Sequence, residues 1–158
     1  MIKAALFDLD GVVFDTESQY SVFWGMIGKE YHPEIPDFAQ IIKGQTLVQI
    51  YDKYFSDDKI FASKVDFCSV KDEQAKITTR LDEFEQNMSY NYIAGFEDFV
   101  KDLRNNGIKC AVVTSSNIPK MLNVYQQRPE FKDYFDRVLT SEDFAKSKPD
   151  PDCYLKGV

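Results

Sequence analysis

Residues 2–9, IKAALFDL, carry apolar side chains on both parities: Ile2, Ala4 and Leu6 on one, Ala5, Phe7 and Leu9 on the other. A strand patterned this way is buried on both faces, as in the middle of a parallel sheet with helices packed above and below. Such a strand has little use for charge, yet it runs into Asp8 and Asp10. In open parallel sheets ligands bind outside the carboxyl ends of the strands, so these two acids stand where chemistry is expected.

Strand and helix signals alternate again after Gly95. FEDFVKDLRNNG places Phe96, Phe99, Val100 and Leu103 at helical spacing and stops at Asn106-Gly107. IKCAVVTSS then reads as a second buried strand, IPKMLNVYQQR as a helix with Pro119 in its first turn, and RVLT (137–140) as a short third strand. This alternation implies a parallel sheet with right-handed crossovers. Between the two regions the chain is helical in character: ESQYSVFWGMIGKEY, DFAQIIKG, TLVQIYDKYF and a charged stretch from Asp57 to Met88, punctuated by Pro33, Pro36, Gly44 and Ser56-Asp57. The expected organisation is an α/β core of residues 1–15 and 93–158 with an all-helical domain, 16–92, inserted after the first strand.

The formal net charge of −7 argues against a polyphosphate partner, and no Lys/Arg cluster marks a nucleic-acid footprint. No apolar run approaches the roughly 18 to 20 residues that cross a bilayer. Asp8 and Asp10 interrupt what would otherwise resemble a signal peptide, so a cytoplasmic location is the default. Cys68, Cys110 and Cys153 are odd in number and widely spaced, and read as buried thiols rather than a disulfide framework or zinc site. His32, the only histidine, precedes Pro33 in a turn and reads as a surface residue. A metal here would be held by oxygen, which favours magnesium or calcium. Oligomeric state is not legible.

Three places could carry chemistry. Asp8 and Asp10 follow the first strand. Thr114, Ser115, Ser116 and Asn117 follow the second and lead into a helix N-terminus, where unpaired N–H groups favour an anion. Lys148 lies in SKPDPD after the third. Each has an ordinary alternative: an Asp10-Gly11 turn, a helix cap and a solvated loop lysine. Together, each just past a strand, they are the parts of a phosphoryl-transfer site. A carboxylate attacks phosphorus, a second shuttles protons, and the hydroxyl and lysine hold phosphoryl oxygens. Magnesium would let an anionic nucleophile approach an anionic substrate.

DLDGVVFDTE (8–17), VVTSSN (112–117) and KPDPDCY (148–154) resemble the first three motifs of the haloacid dehalogenase superfamily, nearest to its beta-phosphoglucomutase and sugar-phosphate phosphatase branch. That resemblance implies a Rossmann-like core with a helical cap, and a small phosphorylated metabolite as substrate. Asp8 would be the nucleophile and a magnesium ligand, and Asp10 the acid and base, its carbonyl joining the metal. Thr114 and Lys148 would bind the phosphoryl group. Gly11, Ser115, Ser116 and Asn117 are the further phosphate-binding candidates, with Tyr20 and Lys43 as substrate-binding candidates in the cap. Asp15-Thr16 would be the hinge into that cap.

Tyr20 stands where mutases of the superfamily commonly carry a histidine, and Gly44-Gln45-Thr46-Leu47 where they carry an arginine, which Lys43 replaces in part. A phosphatase is therefore expected ahead of a mutase. A non-catalytic domain binding a partner through Tyr20, Phe23, Trp24, Tyr51, Tyr54 and Phe55 ranks third, because those aromatics recur at helical spacing and read as the cap's own core. The superfamily's fourth motif, an acidic pair after a further strand, has no counterpart before Val158. The expectation is that the C-terminal part of the core lies beyond that residue, and that the chain as it stands binds magnesium weakly and catalyses poorly.

Overall fold

The structure is a computed structural model and describes residues 2–158. In chain order its elements are β1 (Ala4–Phe7), α1 (Glu17–Tyr31), α2 (Phe38–Ile41), α3 (Leu47–Tyr54), α4 (Val70–Asn87), α5 (Phe96–Asn105), β2 (Lys109–Val113), α6 (Ile118–Gln127), β3 (Arg137–Leu139) and α7 (Asp152–Gly157). They form two compact units. One comprises the chain through Glu17 together with Met88–Val158, the other Ser18–Asn87.

In the first unit the three strands are parallel in the order β1-β2-β3, with Phe7 opposite Val112 and Ala111 opposite Arg137. β2 is paired on both edges, and Cys110 through Val113 are buried as an apolar run requires. β1 is less buried than its pattern predicts: Ile2 is 74 % exposed and Ala4 is exposed as well. Among the described residues β1 pairs on one edge only. Phe7 nevertheless packs edge-on against Phe96, Phe99 and Phe135.

Past β1 the chain makes one tight turn. The Leu9 carbonyl accepts from the amides of Val13 and Phe14, and the Gly11 amide donates to the Phe14 carbonyl at 2.8 Å. Gly11 has φ +74°, a conformation costly for any residue with a Cβ. Phe14 stacks on Tyr92 and Phe131, and the outgoing and returning segments are tied by Asp15 N–H to the Asn91 carbonyl and Ile93 N–H to the Val13 carbonyl. This pairing assigns residues 88–92 to the sheet-bearing unit, where helical character alone had extended the insert to Tyr92.

The helical unit closes around its own core. Phe23, Trp24, Ile27, Tyr31, Phe38, Ile50, Tyr54, Phe55, Phe61, Ile77 and Leu81 are buried together, with Tyr20 and Tyr51 packed at the side. Two expectations fail here. His32 is buried at 5 % exposure rather than on the surface, stacked on Phe38 with its ring nitrogens bonded to Glu34 and the Tyr54 carbonyl. Cys68 is exposed, whereas Cys110 and Cys153 are buried as expected. Cys68 falls in the non-helical linker before α4.

Candidate active site

Asp8 is the residue immediately after β1, and its carboxylate is anchored through one oxygen. Oδ1 accepts the Leu9 amide at 2.8 Å and lies 2.9 Å from the Lys148 ammonium. Lys148 also donates to the Val113 carbonyl at 2.9 Å, so one cation bridges the ends of β1 and β2. Its loop is held by its own acids. The Asp152 carboxylate accepts the amides of Ala145 and Lys146, and Asp150 accepts the amide of Asp152. Burial works to raise the Asp152 carboxyl, but those amides and Lys156 outweigh it and hold it below the usual range. The peptide between Lys148 and Pro149 is cis.

Asp10 is anchored through both oxygens. Oδ1 accepts the Thr16 hydroxyl at 2.6 Å and Oδ2 the Ser116 hydroxyl at 3.3 Å, while the Lys120 ammonium lies 2.8 and 2.6 Å from the two. Thr114 donates from its hydroxyl to Ser116 Oγ at 2.9 Å and accepts the Ser116 amide at 3.0 Å. Its own amide is bonded to the Leu139 carbonyl of β3. Asp8, Asp10, Thr114, Ser116 and Lys148 therefore meet at the carboxyl ends of β1 and β2.

The remaining candidates divide. Asn117 caps α6, its side chain accepting the Lys120 amide at 3.0 Å, and Ser115 is exposed on the same loop. Gly11 is exposed in the turn after β1. Tyr20 and Lys43 belong to the helical unit, where the Tyr20 hydroxyl donates to Glu85 at 3.1 Å and Lys43 is exposed after α2. Sequence reasoning missed Lys120. The signal was its spacing four residues before Val124, which puts it on the buried face of α6. Thr16, expected only as a hinge, is fully buried against Asp10.

A magnesium ion keeps several waters and binds through one or two carboxylates plus substrate phosphate. Asp8 fits that donor set as a carboxylate whose side chain is 45 % exposed. The Asp10 side chain is engaged, so Asp10 can contribute only its carbonyl, which accepts none of the main-chain bonds of the turn. Among the described residues no three His, Cys, Asp or Glu side chains cluster as a fuller cage.

The haloacid dehalogenase-like hydrolase family model matches residues 2–158. The chain belongs to this family. It is 26 % identical to the beta-phosphoglucomutase of Bacillus subtilis, an alignment covering 98 % of this chain and 67 % of that one. It is 23 % identical to a phosphorylated carbohydrates phosphatase of Thermotoga maritima, covering 98 % and 68 %. The fold is shared with a solved haloacid dehalogenase hydrolase of Entamoeba histolytica at a TM-score of 0.71 and 19 % identity, over 99 % of this chain and 69 % of the other. No described helix is long and apolar enough to cross a membrane.

Proposed function

We propose that the chain acts as a magnesium-dependent phosphatase of small phosphorylated metabolites, sugar phosphates foremost. The observation that carries this reading is the asymmetry of Asp8: Lys148 and the Leu9 amide hold one carboxylate oxygen, and the other is left for reaction. In the first step Asp8 Oδ2 attacks phosphorus while the bond to the leaving oxygen breaks, and that oxygen takes a proton from Asp10. In the second step water attacks the aspartyl phosphate, Asp10 takes its proton, and the bond between phosphorus and Asp8 breaks to release phosphate. Lys148 and the Thr114–Ser116 hydroxyl pair offer donors for the phosphoryl oxygens. Asp8 and the Asp10 carbonyl would hold the magnesium ion, which when bound offsets the charge of nucleophile and phosphate.

The relatives named above include both a mutase and a phosphatase, so the acceptor of the phosphoryl group has to be measured. Phosphorus NMR of β-glucose 1-phosphate with magnesium and a trace of glucose 1,6-bisphosphate separates the two. Free phosphate is the expected product, and glucose 6-phosphate would instead establish the mutase. Asp8→Asn should remove turnover by at least about 1,000-fold, since a covalent route has no substitute nucleophile. Turnover retained in that variant would reject the aspartyl phosphate. Loss without effect on partner binding would keep catalysis distinct from a binding role.

A further inference from the structure

Lys120 is placed against ordinary expectation twice. Its side chain is 4 % exposed, where lysine is seldom found without a partner. It also lies in the first turn of α6, where the helix dipole and unpaired N–H groups disfavour a cation. Both effects oppose an ammonium group at this position, and what offsets them is Asp10, met through both oxygens at 2.6 and 2.8 Å. Thr16 and Ser116 complete the ring of donors, so three side chains from two segments distant in the chain converge on one carboxylate. Asp10 itself stands on a tight turn after a short strand, and these contacts set the direction its carboxyl group faces.

We propose that Lys120 is a positioning residue for proton transfer: it fixes the orientation of Asp10 toward the leaving oxygen and is not needed for attack by Asp8. The inference rests on the phosphatase reading. It makes a prediction that a phosphate-binding or purely structural lysine does not, because a sugar leaving group needs a proton whereas 4-nitrophenolate departs without one.

The test compares kcat/KM for β-glucose 1-phosphate and 4-nitrophenyl phosphate in the wild type, Lys120→Met and Lys120→Arg. For Lys120→Met the sugar phosphate should lose about 100-fold, the scale of a misplaced catalytic group, and the aryl ester less than about 3-fold. Lys120→Arg, which keeps a cationic donor, should recover most of the loss. If circular dichroism shows Lys120→Met to be unfolded, Lys120→Gln is read in its place. Equal losses on both esters, or none on either, would overturn the inference while leaving the phosphatase reading intact. A wild type that turns over neither ester, or the aryl ester alone, would overturn the sugar-phosphate reading and the inference with it.

Discussion

Asp8 and Asp10 are two residues apart, yet among the described residues one keeps an oxygen without a protein partner and the other has partners on both. Partners decide what a carboxylate can do, and Asp136 shows the same rule outside the site. It receives the Cys110 amide at 2.9 Å, with Arg104 and Lys109 at 3.1 and 3.2 Å, and its own amide bonds back to the Cys110 carbonyl. The Cys110 amide first, helped by Lys109 and Arg104, holds its carboxyl below the usual range against the opposing effect of burial. A carboxyl depressed in the folded state contributes stability that is complete above its unfolded value, near about pH 4, and lost as pH falls through the folded value. Urea midpoints between about pH 6 and about pH 2 should therefore drop less steeply for Asp136→Asn than for the wild type. Parallel slopes would show that the contacts do not persist in solution. Residues of this kind were not legible in sequence, because the charge of Asp136 says nothing of the strand it ties down. Asp8, Asp10, Thr114 and Lys148 could be singled out because each follows an apolar run whose end is visible. The spacing of Lys120 before Val124 shows that it is buried but not that Asp10, 110 residues away, is its partner, and His32 depends on the Tyr54 carbonyl 22 residues on.

Helices and strands were legible where periodicity ran long, as in α1, α5 and β2, and less so where packing decides. The charged stretch from Asp57 reads as helical in character, but regular α-helix begins only at Val70, after a short 3-10 turn at Asp58–Phe61 capped by the Asp57 side chain. Within α1 two glycines three residues apart have opposite consequences. A Cβ at Gly25 meets nothing within 4 Å, whereas one at Gly28 would lie 2.5 Å from the Phe38 Cβ. On propensity alone either Gly→Ala change stabilises a helix interior by about 0.8–1 kcal/mol. At Gly28 the neighbour is a Cβ fixed to the backbone of α2, which cannot swing aside, and overpacking of that kind costs about 1–3 kcal/mol. Urea denaturation should thus find Gly25→Ala more stable and Gly28→Ala less stable than the wild type. A stabilised Gly28→Ala would mean that α1 and α2 separate readily, and would remove close packing as the reason for glycine there.

At the scale of the whole molecule, the insertion leaves two units with separate hydrophobic cores joined by two chain crossings, near Glu17–Ser18 and Asn87–Met88. Units with their own cores unfold with their own free energies unless a large apolar interface couples them. Ile77 is fully buried in the helical unit, and truncating such a side chain costs about 2–5 kcal/mol, a large part of the roughly 5–15 kcal/mol that holds a domain folded. In Ile77→Ala, native-state hydrogen exchange should quicken by at least about tenfold at the amides of α3 and α4, since each 1.4 kcal/mol is a factor of ten. The amides of Ala111 to Val113 in β2 should keep wild-type protection, because their burial and pairing come from the other unit. Equal acceleration in both places would establish one cooperative body. Independent exchange would show that the strands holding Asp8 and Thr114 keep their order when the helical unit is loosened.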